Sequence, residues 1–404
     1  MKITLLIQNA TQVIVFENGV FRLIENATVA CTDEKISWVG NFKAIPSDLE
    51  SHSAEIVDAT SCVVLPGLID CHTHTIFAGS REDEFEMKLQ GATYAEISKK
   101  GGGIVKTMEA TRLASKGELL AIGLERIKRA MEFGITTLEI KSGYGLSLAD
   151  EIKMLEVISE LRSHTPMDII PTFLGAHTFP PEFKENREKY VSLVCKEMIP
   201  MVAERKLAEF CDAFCETNVF TIGQTRRIFE TGKKFGLKLK LHADQLTNTG
   251  GAELCAEMGA VSADHLENIS EQGIEALKYS NVVAGLLPGC SFFLNMQYAP
   301  ARKLIQAGIP VALATDFNPG SCMTQNLQLI MSIACTQMKM TPAEAVQAVT
   351  LNAAKSVTRK DIGNIQAGLK ADLAIFKVPN YRFIPYNFGQ NHLVHVVKNG
   401  KVIF

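Results

Sequence analysis

The sequence predicts an α/β protein: a (β/α)8 barrel of the TIM type, with a second, smaller β-sandwich domain built from both chain ends. Two observations predict it. Between residues 63 and 356, short apolar runs alternate with longer amphipathic segments, the pattern of a closed parallel sheet ringed by helices. Outside that stretch, residues 1–62 and 357–404 carry strand patterns and turn signals but no long helical periodicity. The expected division is therefore 1–62 with 357–404 as one composite domain, and 63–356 as the barrel.

The first segment reads as short strands with turns at Glu17-Asn18-Gly19 and at Gly40. Eight runs then follow: VVLPGLIDCHTH, ITTLEIKSGYG, MDIIPTFLGAH, CDAFCE, LKLKLHAD, AVSADH, NVVAGLLPG and IPVALATD. Intervening stretches such as GELLAIGLERIKRAMEFG and LADEIKMLEVISELRSH have helical periodicity. The chain closes with ADLAIFKV and LVHVVKNGKVIF, where Asn399-Gly400 signals a hairpin. A doubly wound sheet fits less well, because the first strand ends in histidines where a phosphate-binding turn needs glycines. Gly101-Gly102-Gly103 lacks the lysine of a phosphate loop and reads as a flexible loop, with 98–107 a candidate for closing over substrate.

Composition excludes several classes. The 404 residues carry 41 basic and 44 acidic side chains, interspersed, so no nucleic-acid partner is expected. No apolar stretch approaches the roughly 20 residues that span a bilayer, and Gln8 and Asn9 interrupt the first apolar run, against a secretory signal. The ten cysteines lack paired spacing, so they are expected to be reduced, in a cytoplasmic protein. Cys211 and Cys215 share one predicted strand without a motif for thiol chemistry.

The polar residues of interest fall at the C-terminal ends of the predicted strands, where barrel chemistry sits. His72 and His74 close the first strand, and a spacing of two puts both rings on one face. His242 ends the fifth strand and Asp316 the eighth. Three imidazoles and a carboxylate suit one divalent ion, Zn or Fe, with water completing the shell. His265 ends the sixth strand and is expected to shuttle a proton or polarise a carbonyl.

PGLIDCHTH, followed by His242, His265 and Asp316, closely resembles the amidohydrolase superfamily, as does DIGNIQAGLKADLAIF at 361–376. Finer motifs are similar to the imidazolonepropionases: HTHTIFAGSREDEF (72–85), SGYG (142–145), GAHTFPP (175–181), LHADQ (241–245) and ATDFNPGS (314–321). The resemblance covers essentially the whole chain. It implies hydrolytic ring opening of 4-imidazolone-5-propanoate to N-formimidoyl-L-glutamate in histidine degradation, by attack of metal-activated water on the cyclic amide carbonyl.

The residues agree with that substrate. Arg81 is a forked cation for its propionate, against the alternative of an ion pair within Glu82–Glu86. Tyr94, Tyr144 and His177 offer flat walls and hydrogen bonds, and Asn318, Gly320 and Ser321 polar groups beside Asp316. His265 and Asp316 are the expected catalytic pair. Gln245 stands where some related enzymes carry Glu as a proton carrier; a neutral amide cannot do that work but can bind the ring. The general base is therefore left open between Asp316 and His265.

Three rivals use the same fold. A deaminase of a nitrogen heterocycle would share the metal ligands, but a neutral base needs no propionate clamp. A two-metal cyclic amidase would need a carboxylated lysine on the fourth strand, whereas Lys141 ends the second and the fourth offers Glu216. A catalytically dead scaffold would have lost ligands that are all present here. The expected partner is a small-molecule substrate, with no membrane, and a homodimer is admitted.

Overall fold

Period-two alternation decides which side of the chain-end sheet each residue joins. The computed structural model describes residues 2–46, 54–91 and 101–404. Its first strands are β1 (Leu5–Glu17), β2 (Val20–Thr32), β3 (Lys35–Asn41), β4 (Glu55–Asp58) and β5 (Val63–Pro66). Along β1, Val13 and Val15 enter this sheet's own apolar cluster. Ile14 and Phe16, between them, join the larger core around the barrel. In β5, Val64 goes one way and Val63 and Leu65 the other. A strand buried on both faces has no polar side, so these segments read as unbroken apolar runs.

Eight parallel strands build the barrel: β6 (Leu68–Asp70), β7 (Ile135–Lys141), β8 (Asp168–Ala176), β9 (Phe210–Cys215), β10 (Lys238–Ala243), β11 (Ser262–His265), β12 (Val283–Leu286) and β13 (Val311–Leu313). They pair in sequence order from β6 to β13. A parallel bridge between Thr73 and Phe317 joins the two end strands. His74 N donates to Phe317 O at 3.0 Å and Asp316 N to His72 O at 3.1 Å, so barrel closure and the site share the same backbone. The chain ends with β14 (Leu373–Phe376), β15 (Leu393–Lys398) and β16 (Lys401–Val402), which complete the first sheet in the order β16-β15-β14-β5-β1-β2-β3, with β4 on β1.

The eighth run is β13, and the first run is divided between two sheets. Val63–Pro66 pairs with β1 and β14 in the chain-end sheet, and only Leu68–Asp70 opens the barrel. Gly67 makes the transfer: a Cβ there would collide with the Thr136 side chain on β7.

Local signals hold with three differences. Asn18 and Gly19 both have positive φ, 51° and 80°, as a two-residue hairpin turn requires, but the strands it joins are 13 residues each rather than short. The turn expected at Gly40 lies instead at Asp33-Glu34, and Gly40 sits inside β3 paired with Thr28. In the stretch 98–107, residues 98–100 lie outside the described residues, and Ile104 already begins a helix, Ile104–Leu113. The amphipathic stretches form the helices Lys116–Met131 and Leu148–His164, the first opened by a reciprocal Ser115–Glu118 cap. All ten cysteines are free thiols.

Candidate active site

Thr73 shows how the first strand aims its histidines. Its hydroxyl donates to Glu139 O at 2.6 Å and its N–H reaches Glu139 Oε2 at 3.2 Å, which stitches it to β7. Alternation then turns His72 and His74 to the other side. There they meet His242 and Asp316, all four buried. His242 Nε2 lies 3.4 Å from His74 Nε2. Asp316 Oδ1 lies 3.6 Å from His72 Nε2 and 3.5 Å from His74 Nε2. Ligand atoms around a tetrahedral ion with bonds of about 2.0–2.1 Å stand about 3.3 Å apart, so these three separations match edges of such a shell, and His72, His74 and Asp316 lie together as one candidate ligand group. His72 Nε2 has no protein hydrogen-bond partner despite its burial. A buried nitrogen without a partner is costly unless something else binds it, and the donor set suits a divalent ion.

The far nitrogens of two of these rings are fixed by carboxylates from other strands, β11 and β9. His72 Nδ1 donates to Asp264 Oδ2 at 2.7 Å, and His242 Nδ1 to Asp212 Oδ1 at 3.2 Å. Each leaves Nε2 as the free lone pair, the carboxylate–histidine arrangement that orients metal ligands. The carboxylates are themselves compensated. Lys141 Nζ sits 2.8 Å from both Asp212 Oδ2 and Glu139 Oε1. Lys240 Nζ lies 3.8 Å from Asp264 Oδ2 and donates to Cys71 O and Ser356 O.

Burial sets the protonation of the cluster. It pushes the His72 and His74 imidazoles well below their ordinary range and His242 down to about 3, so all three are neutral donors near pH 7. Burial also raises Asp316 to about 6. Burial would raise Asp212 too, but Lys141 and His242 outweigh it and hold that carboxylate ionised. For His265 burial acts downward, and the Glu267 carboxylate beside it reverses the sign and raises its pKa.

His177 ends β8 and stacks on His74, ring centroids 5.0 Å apart. Its Nδ1 donates to Gly143 O at 3.0 Å. Tyr144 is buried with its ring 5.7 Å from His74 and 5.4 Å from His177. Gln245 points its amide at Cys290, Nε2 to Sγ 3.5 Å. Arg81 lies beside Asp316's loop: a Cβ on Gly320 would collide with Arg81 Nη1. Its Nε and Nη2 are 2.9 and 2.8 Å from Glu84 Oε2. The expected alternative, an ion pair within the acidic cluster, is present, with Glu84 on the Nε/Nη2 edge of the fork and Nη1 beside Gly320. Tyr94 lies outside the described residues.

The Asn318 expectation changes. Its amide donates to Asp316 O and Ser321 Oγ, each at 2.7 Å, and its oxygen accepts from Gly320 N and Ser321 N. The side chain is spent on shaping its own loop. Ser321 Oγ in turn donates to Asp316 Oδ2 at 3.2 Å. Glu216 is also engaged, accepting from Leu246 N, Thr247 N and Thr217 N.

The residues not singled out from sequence are Asp212, Asp264, Lys240, Glu139, Glu267 and Cys290. A signal existed for two of them. Glu139 and Lys141 alternate on β7, and Lys240 and His242 on β10, which is unusual in strands buried on both faces.

A model described as "Amidohydrolase family" matches residues 102–404. The chain is 51% identical over 384 residues to an imidazolonepropionase of Geobacillus sp. (strain WCH70), covering 94% of this chain and 91% of that protein. It is 49% identical over 383 residues to an imidazolonepropionase of Alkaliphilus oremlandii, with the same coverage of both. Among solved structures, atrazine chlorohydrolase from Arthrobacter aurescens TC1 complexed with zinc superimposes with a TM-score of 0.76 at 17% identity, over 100% of this chain and 95% of that one.

Proposed function

The chain belongs to the imidazolonepropionase family of amidohydrolases, and from that premise we infer that it opens the ring of 4-imidazolone-5-propanoate with water, giving N-formimidoyl-L-glutamate in histidine degradation. It is a hydrolase acting on the C–N bond of a cyclic amide, and its substrate is a small molecule. Among the described residues no helix is long and apolar enough to cross a membrane. The division into domains that we propose keeps the barrel as the catalytic unit and gives β5 to the composite domain of the chain ends.

The single observation that carries the site assignment is the convergence of His72, His74, His242 and Asp316 at the closure of the barrel. We assign these four as the ligands of one divalent ion, zinc or iron. When bound, that ion supplies Lewis acidity, lowering the pKa of a water and polarising the ring carbonyl. The protein's own groups do the rest. Arg81 holds the propionate through the edge that Glu84 leaves free. Tyr144, His177 and Gln245 hold the ring. Asp316 accepts the water's proton at Oδ2 and delivers it to the leaving ring nitrogen as the new C–O bond forms and the C–N bond breaks. His265 donates to the oxygen on which charge develops. Incubation with freshly prepared imidazolonepropionate, followed by loss of its ultraviolet absorption, tests the reading; turnover of heterocyclic amines instead would replace it with deamination.

Three expected results belong to this assignment. Elemental analysis should find one divalent equivalent per chain; two equivalents, both needed for activity, would overturn the single-ion site. Arg81→Met should cost on the order of 2–5 kcal/mol, the loss of a desolvated charged hydrogen bond. That is roughly 30-fold to several thousand-fold in kcat/KM, with metal content unchanged. Near-normal kinetics would remove the clamp. Gln245→Ala should cost about 0.5–1.5 kcal/mol and keep the shape of the pH–rate profile, since no titrating group is lost; a missing limb would make Gln245 part of the proton path.

A further inference from the structure

The turn that leaves β11 holds two consecutive non-glycine residues in the left-handed region, His265 at φ 82° and Leu266 at φ 67°. Such residues are strained and persist only where their surroundings impose them. They do so here. Leu266 N donates to Ala243 O at 3.0 Å and Asn268 N to Asp244 O at 2.8 Å. Asn268 Nδ2 donates to Gln245 O at 2.7 Å, and Gln297 Nε2 to Glu267 O at 2.9 Å. The result is that the chain doubles back, and the Glu267 side chain comes to face the ring of the residue two positions before it.

Glu267 is 4% exposed. Its Oε1 lies 3.5 Å from His265 Nδ1 and accepts from Ser291 Oγ at 3.3 Å. Its Oε2 and His265 Nδ1 are both buried without a hydrogen-bond partner. Among the described residues, His265 is the one basic group within 4.0 Å of this carboxylate. A buried carboxylate with an open acceptor is strongly disfavoured in isolation, and so is an imidazole nitrogen without a partner. Facing one another, Nδ1 and Oε1 make an ion-pair contact at 3.5 Å, and each side of the pair still carries an open hydrogen-bonding atom.

We propose that Glu267 is a positioning residue for the ring-opening reaction, accepting a hydrogen bond from His265 Nδ1 and thereby presenting His265 Nε2 to the substrate carbonyl. The proposal rests on the role given above to His265. The strained turn is the device that brings the pair together, and Asn268, through Gln245 O, ties it to the loop that follows the metal ligand His242. This sets His265 apart from His72 and His242, whose carboxylates come from other strands rather than from their own turn.

The experiment is a double-mutant cycle read by kcat, KM, metal content and thermal unfolding. Glu267→Ala should lower kcat by roughly ten- to a hundred-fold, the usual cost of losing an outer-shell partner. KM, metal content and melting temperature should stay near those of the parent. Glu267→Gln keeps an acceptor oxygen and should restore most of the lost kcat. In a His265→Ala background, Glu267→Ala should cost nothing more. Glu267→Ala at parental kcat would overturn the proposal, and so would a Gln variant no better than Ala in a folded, metal-loaded protein. An independent loss on top of His265→Ala would do the same. Full activity of His265→Ala alone would instead withdraw the catalytic role of His265, a separable failure.

Discussion

His242→Ala should yield a folded protein that has lost most of its metal and nearly all turnover. The fold should survive because the groups behind His242 keep their partners. Asp212 Oδ1 still accepts from Ala213 N at 2.7 Å, and Oδ2 still pairs with Lys141 at 2.8 Å. No buried carboxylate is stranded, so the 3–5 kcal/mol cost of breaking a buried ion pair does not apply. An ion held as we propose would, by contrast, lose one of three neutral nitrogens, and the space opened beside His74 would admit water in its place. Metal retention by the variant should therefore fall in chelator competition before its thermal unfolding changes. Retained turnover, or a metal content equal to the parent's, would mean that the ion is held elsewhere and that the strand-end assignment is mistaken.

What was legible in the sequence follows from which signals are local. A barrel strand buried on both faces writes itself as an apolar run, and a histidine at its end stands out. That is why His72, His74, His242, His265 and Asp316 could be read together. The supporting groups depend on register between strands, which one strand does not record. His242 pairs with Asp264 across β10 and β11, yet the Asp264 carboxylate serves His72, and Asp212 on β9 serves His242. Lys141 illustrates the limit. Its place on the second strand argued against a carboxylated metal bridge, but only its surroundings make it the counter-charge of Glu139 and Asp212, fully buried and held protonated by them against burial. Asn318 was legible as a residue of the site but not as one whose amide is consumed by its own turn, because loop geometry lies beyond periodicity. Gly67, which moves the chain from one sheet to the other, is invisible inside the apolar run VVLPGLID.

Asp316→Asn should have the second large effect, and one of a different kind from His242→Ala. Asparagine preserves shape: its side-chain oxygen can take the place of Oδ1 near His72 and His74, and the left-handed backbone at φ 53° tolerates it well. What it removes is the ability to hold a proton. Burial has already moved this carboxylic acid up to about 6, so in the absence of metal it gains protons as pH falls through that value and is ionised above it. With the ion bound, a carboxylate oxygen beside the reacting atoms can still accept and return a proton, which an amide cannot do. The amide keeps part of the metal affinity but none of this, and the hydroxyl of Ser321, now facing an NH2, loses its acceptor. Turnover should fall by about 10²–10⁴-fold, the usual contribution of such a group, with substrate affinity much less affected and metal content reduced but measurable. Saturating the variant with added ion separates the two losses: if kcat recovers when the site is refilled, Asp316 acts only as a ligand and the proton passes through His265. If kcat stays low in the loaded variant, while His242→Ala fails through loss of the ion, metal binding and proton transfer at this site are carried by different atoms of the same cluster.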